Sequence, residues 1–249
     1  MSDSRSASPT ILFVHGFLDD HTAWRDVRAD LEPDLSTVAL DLPGCGALAD
    51  SHSVTLAGMS DAVVAELDRA DGPVVLVGQS MGAQVGELAA AARPDWVVAL
   101  VLITPVPLAG THLEGDEAEV FRSLGGNAEA QRQARLSVSV ALDERALDML
   151  VASGSAPRPE TVAQAFEAWN GGHPAGAHPS TYRGPVWILK GADDPFVTQE
   201  LLDAGVLPRF PDAQLRVIDH SGHFPHMEAP AEVASTLREV VASVDRLEV

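Results

Sequence analysis

The chain has 249 residues, enough to bury one large core, and 46% of them are hydrophobic. With 36 acidic against 16 basic side chains, its formal net charge of −20 argues against nucleic acid or an anionic membrane surface as a partner. Cys45 is the only cysteine, so an intrachain disulfide is impossible and a cysteine-based zinc site is disfavoured. No run of about 18 apolar residues occurs, so no transmembrane helix is expected. The polar stretch 1–9 lacks the apolar core of a secretory leader and reads as a frayed tail, so a cytoplasmic protein is expected.

Residues 10–14, Thr-Ile-Leu-Phe-Val, read as a strand that runs into His15-Gly16-Phe17-Leu18. A helix is expected over 23–31, with Thr22 as its N-cap and Trp24, Val27 and Leu31 on one face. A second strand over 36–40 breaks at the Pro/Gly turn Asp41-Leu42-Pro43-Gly44-Cys45-Gly46, and a helix over 56–70 stops at Asp71-Gly72-Pro73. The Val-rich run from Val74 ends in Gly78-Gln79-Ser80-Met81-Gly82, and an Ala-rich helical pattern follows at once. Gly78 and Gly82 remove side chains where strand and helix would collide, so the turn lifts Ser80 clear of the sheet with its hydroxyl exposed. Residues 97–103 form another apolar strand. This alternation of strands and helices argues for a parallel sheet covered on both faces.

From 105 to 183 the alternation stops. Helices are expected over 117–124, 129–142, 144–152 and 159–170, with Gly125-Gly126 and Gly171-Gly172 as breaks. This segment reads as a helical lid inserted into a core domain made of 1–104 and 184–249. The sheet resumes over 186–190 and ends at Gly191-Ala192-Asp193-Asp194-Pro195. A short helix over 199–204, a strand over 215–218, the run His220-Ser221-Gly222-His223 and a closing helix over 231–244 complete the chain.

Ligands of an open α/β sheet sit outside the carboxyl ends of its strands. His15-Gly16-Phe17, Ser80, Asp193-Asp194 and His223 all follow strands and can meet at one edge. A serine hydroxyl is a weak nucleophile that needs an adjacent base, which a histidine of near-neutral pKa supplies. A carboxylate then orients the imidazole. On the residues alone, His220 and His226 compete with His223, and Asp193 competes with Asp194. The three histidines also raise a metal cluster, but no further ligand set accompanies them, and no metal is expected. No Gly-x-Gly-x-x-Gly, phosphate-binding loop or His-Glu-x-x-His pattern appears, so no cofactor is expected.

Five segments in order resemble the α/β-hydrolase fold family. They are His15-Gly16-Phe17, Asp41-x-Pro43-Gly44-x-Gly46, Gly78-Gln-Ser80-Met-Gly82, Gly191-x-x-Asp194 and Gly222-His223-x-x-x-x-Glu228-x-Pro230. The resemblance implies a mostly parallel, doubly wound sheet with a helical lid. It favours Ser80 as nucleophile, His223 as base and Asp194 as orienting acid, with the backbone N–H groups of Phe17 and Met81 as the oxyanion site. Glu228 is expected to brace the His223 loop, and His15 to pin its own loop. There are two departures: few residues precede the first strand, which suggests a trimmed sheet edge, and Cys45 stands where many relatives carry histidine.

Leu18, Trp24, Phe121, Leu124, Phe166, Trp169 and His226 are candidates for the pocket wall around a small-molecule substrate. The expected activity is hydrolysis of a small or medium carboxylic ester through an acyl-enzyme. A lyase or carbon–carbon-cleaving enzyme with the same triad, a perhydrolase or cofactor-free oxidative enzyme, and a non-catalytic receptor are the rival readings.

Overall fold

The structure, a computed structural model, describes residues 8–51 and 54–245; the frayed tail expected at 1–9 falls outside it for residues 1–7. Six strands form one sheet: β1 (Thr10–Val14), β2 (Thr37–Leu40), β3 (Val74–Gln79), β4 (Val97–Ile103), β5 (Val186–Gly191) and β6 (Gln214–Ile218). Their order is β2-β1-β3-β4-β5-β6, and every neighbouring pair is parallel. The inner strands read as unbroken apolar runs because both faces of the sheet are covered.

Side chains alternate between the faces. Ile11, Phe13, Val75 and Val77 pack with α1 (Arg25–Leu31) and α10 (Pro230–Asp245), through Val27, Leu31, Leu237 and Val240. Leu12, Val14, Leu76 and Leu100 turn to the other face, against Met59 and Val63 of α2 (Leu56–Leu67) and Val85 of α3 (Met81–Ala92). The helix expected from residue 23 begins instead as a 3-10 turn over His21–Trp24, capped by Asp20, whose Oδ1 accepts the Thr22 N–H at 2.8 Å. Asp20 rather than Thr22 is therefore the cap, because its carboxylate accepts a free N–H in the first turn.

Between β4 and β5 the chain leaves the sheet and forms α4 (Gly115–Arg122), α5 (Ala128–Ser137), α6 (Glu144–Ser155) and α7 (Pro159–Gly171). Asn127 and Asp143 cap α5 and α6 through their side chains. α5 ends at Ser137 rather than at 142, because the N–H groups of Val140 and Ala141 are drawn off to the Glu228 carboxylate at 2.7 and 2.8 Å. After β5 come α8 (Gln199–Gly205) and the single-turn α9 (Pro225–Glu228). Among the described residues, no helix is long and apolar enough to cross a membrane.

Candidate active site

The carboxyl ends of β1, β3, β5 and β6 converge beneath the helical insertion. Ser80 follows β3 with φ 53° and ψ −116°, a conformation that costs a non-glycine residue energy and persists only where the surroundings force it. Those surroundings are backbone. A Cβ on Gly78 would lie 2.2 Å from the Gly82 carbonyl oxygen, and one on Gly82 would lie 2.4 Å from that of His15. The two glycines let α3 start directly on the end of the sheet. Although Ser80 occupies the N-cap position of α3, its side chain makes no capping hydrogen bond.

The hydroxyl meets a histidine instead. Ser80 Oγ lies 3.0 Å from His223 Nε2, and His223 Nδ1 lies 2.9 Å from Asp194 Oδ2. A carboxylate only accepts, so Nδ1 carries the proton and Nε2 is left to accept from the serine. Asp194 is buried. Burial pushes its carboxyl up, but the His223 charge, their hydrogen bond and the N–H groups of Val197 and Phe196 more than offset this, leaving it below the usual carboxylate range. Asp193, its sequence rival, is exposed.

Phe17 lines the cavity beside Ser80, and Met81 opens α3 directly after it. Gly82 packs on the His15 carbonyl, which brings the loop after β1 against the first turn of α3. N–H groups in a first helical turn have no intrahelical partner, so Met81 has one to offer. His15 is fully buried, donates from Nδ1 to the Gly16 carbonyl at 2.8 Å and accepts the Leu42 N–H on Nε2 at 3.0 Å. It ties the two loops after β1 and β2 and stands apart from Ser80.

Two residues invisible as site candidates in the sequence hold the base from behind. Gln79 Nε2 donates to the His223 carbonyl at 3.0 Å, and Thr104 Oγ1 donates to the same oxygen at 3.0 Å. Thr104, at the end of β4, also has a left-handed φ of 41°. The Gly-Gln-Ser spacing gives no hint that the glutamine turns inward toward a histidine far along the chain.

A cavity of about 110 Å³ opens on Ser80 and His223. Of the expected wall residues, Phe121, Leu124 and Trp169 line it, together with Phe17 of the expected oxyanion pair. The other four do not. Trp24 is fully buried in the core below, stacked on Phe13 at 4.7 Å, and His226 packs against the indole at 4.5 Å. Burial, with the nearby His223 charge, drives the His226 pKa down to about 3. Phe166 stands behind Phe121, stacked at 5.7 Å, and Leu18 turns into a small cluster with Leu124 and Val162. Each was misplaced because an aromatic or aliphatic residue type does not reveal which way its element faces. The cavity instead takes Phe196, Phe224, Val120, Val138, Asp19 and Arg135. Phe196 had a readable signal, sitting two positions after Asp194; Arg135, one of two arginines in a polar helix, had none.

Among the described residues, Asp20, His21 and Asp41 are the one grouping of metal-type donors. Its oxygens already serve the loop: Asp41 accepts the N–H groups of His21 and Ala47 at 2.8 and 2.9 Å, and Asp20 caps the turn beside it.

An all-parallel sheet whose third strand in sequence ends in a strained serine turn, with histidine and carboxylate delivered from later strand ends, defines a protein with a nucleophile elbow. The chain belongs to the alpha/beta hydrolase family, whose profile it matches over residues 11–236. It is 29% identical to a 2-succinyl-6-hydroxy-2,4-cyclohexadiene-1-carboxylate synthase of Enterobacter sp. (strain 638), an alignment covering 94% of this chain and 92% of the synthase. It is 26% identical to a pimeloyl-[acyl-carrier protein] methyl ester esterase of Cronobacter sakazakii, over 91% of this chain and 90% of the esterase. A thermophilic esterase from Thermogutta terrifontis superposes with a TM-score of 0.75 at 24% identity, over 96% of this chain and 91% of the esterase, and shows the shared fold.

Proposed function

We propose that the protein is a serine hydrolase that cleaves a small or medium carboxylic ester through an acyl-enzyme on Ser80. The 3.0 Å contact between Ser80 Oγ and His223 Nε2, at the floor of an apolar cavity, carries this reading. His223 takes the hydroxyl proton as Oγ adds to the ester carbonyl carbon. The resulting oxyanion accepts from the Phe17 and Met81 N–H groups. As the intermediate collapses, the C–O bond to the alcohol breaks and His223 returns the proton to the departing oxygen. Water then repeats the sequence on the acyl-enzyme: His223 takes its proton, the carboxylic acid leaves, and Ser80 is restored. Asp194 holds the imidazole in the required tautomer throughout. No step calls for a cofactor. The insertion 105–183 acts as a lid, and the aromatic side chains it contributes suit a short apolar acyl group. A cytoplasmic location goes with this reading.

A lyase or carbon–carbon-cleaving enzyme on the same triad is the second reading. The cationic Arg135 in the cavity wall favours it, together with the similarity to the synthase.

The test is labelling by a fluorophosphonate probe located by mass spectrometry, with p-nitrophenyl acetate and butyrate turnover on wild type, Ser80→Ala and His223→Ala. Labelling at Ser80 and turnover reduced by at least about 10⁴-fold in both variants is the expected result. Labelling without ester turnover moves the assignment to the lyase reading. Neither labelling nor turnover in wild type overturns both.

A further inference from the structure

One short stretch of the insertion grips both halves of the candidate catalytic edge. From the last turn of α5, Arg135 donates to the Leu18 carbonyl at 3.2 Å and the Phe17 carbonyl at 3.4 Å, and pairs with buried Asp19 at 2.9 Å. These three residues form the loop that carries the Phe17 N–H. Just beyond, the Val138 carbonyl accepts the His223 N–H at 2.7 Å. The Val140 and Ala141 N–H groups go to Glu228, and the same carboxylate accepts the Gly222 N–H at 3.1 Å and the Phe224 N–H at 3.0 Å. The contact with the base loop is tight: a Cβ on Gly222 would lie 2.4 Å from the Val138 carbonyl oxygen.

Leu18 has a φ of 60°, a strained conformation for a branched side chain, and among the described residues its carbonyl is secured from the insertion, by Arg135 and by Ser153 Oγ at 3.3 Å. A guanidinium is suited to this duty because its planar fork can serve several acceptors from one rigid group. Glu228 uses two oxygens to join four N–H groups drawn from two separate segments.

We propose that residues 135–141 are a strap that holds the Phe17–Asp19 loop and the Gly222–Phe224 loop in mutual register, with Arg135 and Glu228 as positioning residues, so that the insertion sets catalytic geometry as well as pocket shape. The proposal rests on the serine-hydrolase reading above. Its energetic basis is that a misplacement of about 1 Å away from the reacting atoms costs about 100-fold in rate.

The experiment is steady-state turnover of p-nitrophenyl butyrate by wild type, Arg135→Met, Arg135→Lys, Glu228→Gln and the Arg135→Met/Glu228→Gln double variant. In Glu228→Gln the amide nitrogen cannot accept, so the four-way junction is broken without loss of volume. Each of the two disruptive single variants is expected to lose about 100-fold in kcat, with KM within about threefold of wild type. Arg135→Lys keeps the charge beside Asp19 and is expected to recover about tenfold over Arg135→Met. The double variant is expected to lose clearly less than the product of the single losses, because either break releases the same strap. A rise in KM at unchanged kcat, or losses that multiply in the double variant, overturns the proposal. Should Arg135→Met fail to fold, the kcat and KM of Arg135→Lys decide the same question: wild-type values of both overturn the proposal, and a lowered kcat at constant KM supports it. Wild type that neither labels with fluorophosphonate nor turns over ester defeats the underlying hydrolase reading. Wild type that labels, beside variants of wild-type kcat, defeats the strap alone.

Discussion

Asp194 divides its carboxylate between two duties: Oδ2 meets His223 Nδ1 at 2.9 Å, while Oδ1 accepts the N–H groups of Phe196 at 2.8 Å and Val197 at 3.0 Å. The second pair fixes the plane in which the first can act, so the histidine is oriented by backbone through the acid.

Asp194→Asn keeps the shape of this arrangement and removes the preference for the proton on Nδ1. Turnover by the variant is expected to fall about 10⁴-fold with the fold intact, measured as kcat on p-nitrophenyl butyrate beside a thermal melt. A loss below about tenfold would assign the orienting role elsewhere.

The same carboxylate makes stability depend on pH. Burial pushes it up and the His223 charge and hydrogen bonds pull it further down, so its folded value lies below the unfolded value of about 3.9. It therefore contributes stability that is fully present above about pH 4 and is lost as the pH falls through the folded value. Urea titrations from pH 6 down to pH 3 are expected to show wild type losing more stability in the lowest part of that range than Asp194→Asn loses.

Gly82→Ala tests the close approach of α3 to the sheet. Its methyl carbon would lie 2.4 Å from the His15 carbonyl oxygen and 2.5 Å from that of Val14, so backbone has to move. A destabilisation of about 3 kcal/mol or more is expected in urea melts. Fluorophosphonate labelling at Ser80 is expected to be lost even in molecules that remain folded.

Arg209 and Glu87, neither of which lines the candidate site, form a buried ion pair with Nε and Oε1 3.2 Å apart, and the guanidinium also donates to the carbonyls of Ala175, Gly176 and His178. Arg209→Met strands the Glu87 carboxylate and is expected to cost about 3–5 kcal/mol, with kcat of the surviving folded protein unchanged. A calorimetric melt together with turnover at low temperature separates the two effects.

Phe121→Ala opens the cavity wall contributed by the insertion. Because Phe121 stacks on Phe166 at 5.7 Å and meets Trp169 edge-on at 5.3 Å, its removal lengthens the space above Ser80. The p-nitrophenyl ester series is expected to shift its kcat/KM optimum to a longer acyl chain, with acetate losing about tenfold for want of contact.

The strands and the serine turn were legible because their causes are local. Val-rich runs announce strands buried on both faces, and Gly78 and Gly82 announce a place where backbone meets backbone. Glu228 was legible as a brace through the resemblance of Gly222-His223-x-x-x-x-Glu228 to the family pattern, although the side chain also reaches Val140 and Ala141 of the insertion. Trp24 and His226 were misread because hydrophobicity and ring shape say nothing of which face of the sheet they serve; both lie in the core beneath the edge. Arg135, Gln79 and Thr104 were not read as site residues at all. Their partners are fixed by the crossing of distant segments, Gln79 with His223 across 144 positions and Arg135 with Leu18 across 117. The end of α5 was missed for the same reason, since a carboxylate near the other end of the chain claims the N–H groups that would have continued the helix.

The histidine beside Ser80 lies 143 positions along the chain, on the loop after β6, the last strand in sequence and one edge of the sheet. During synthesis the serine emerges first and remains an ordinary alcohol while most of the polypeptide is still to come. A nascent or prematurely truncated product would thus carry no reactive hydroxyl to modify its neighbours. In refolding from urea, the recovery of fluorophosphonate reactivity would therefore report the docking of that edge strand and its loop against the serine turn, and not merely the collapse of the core.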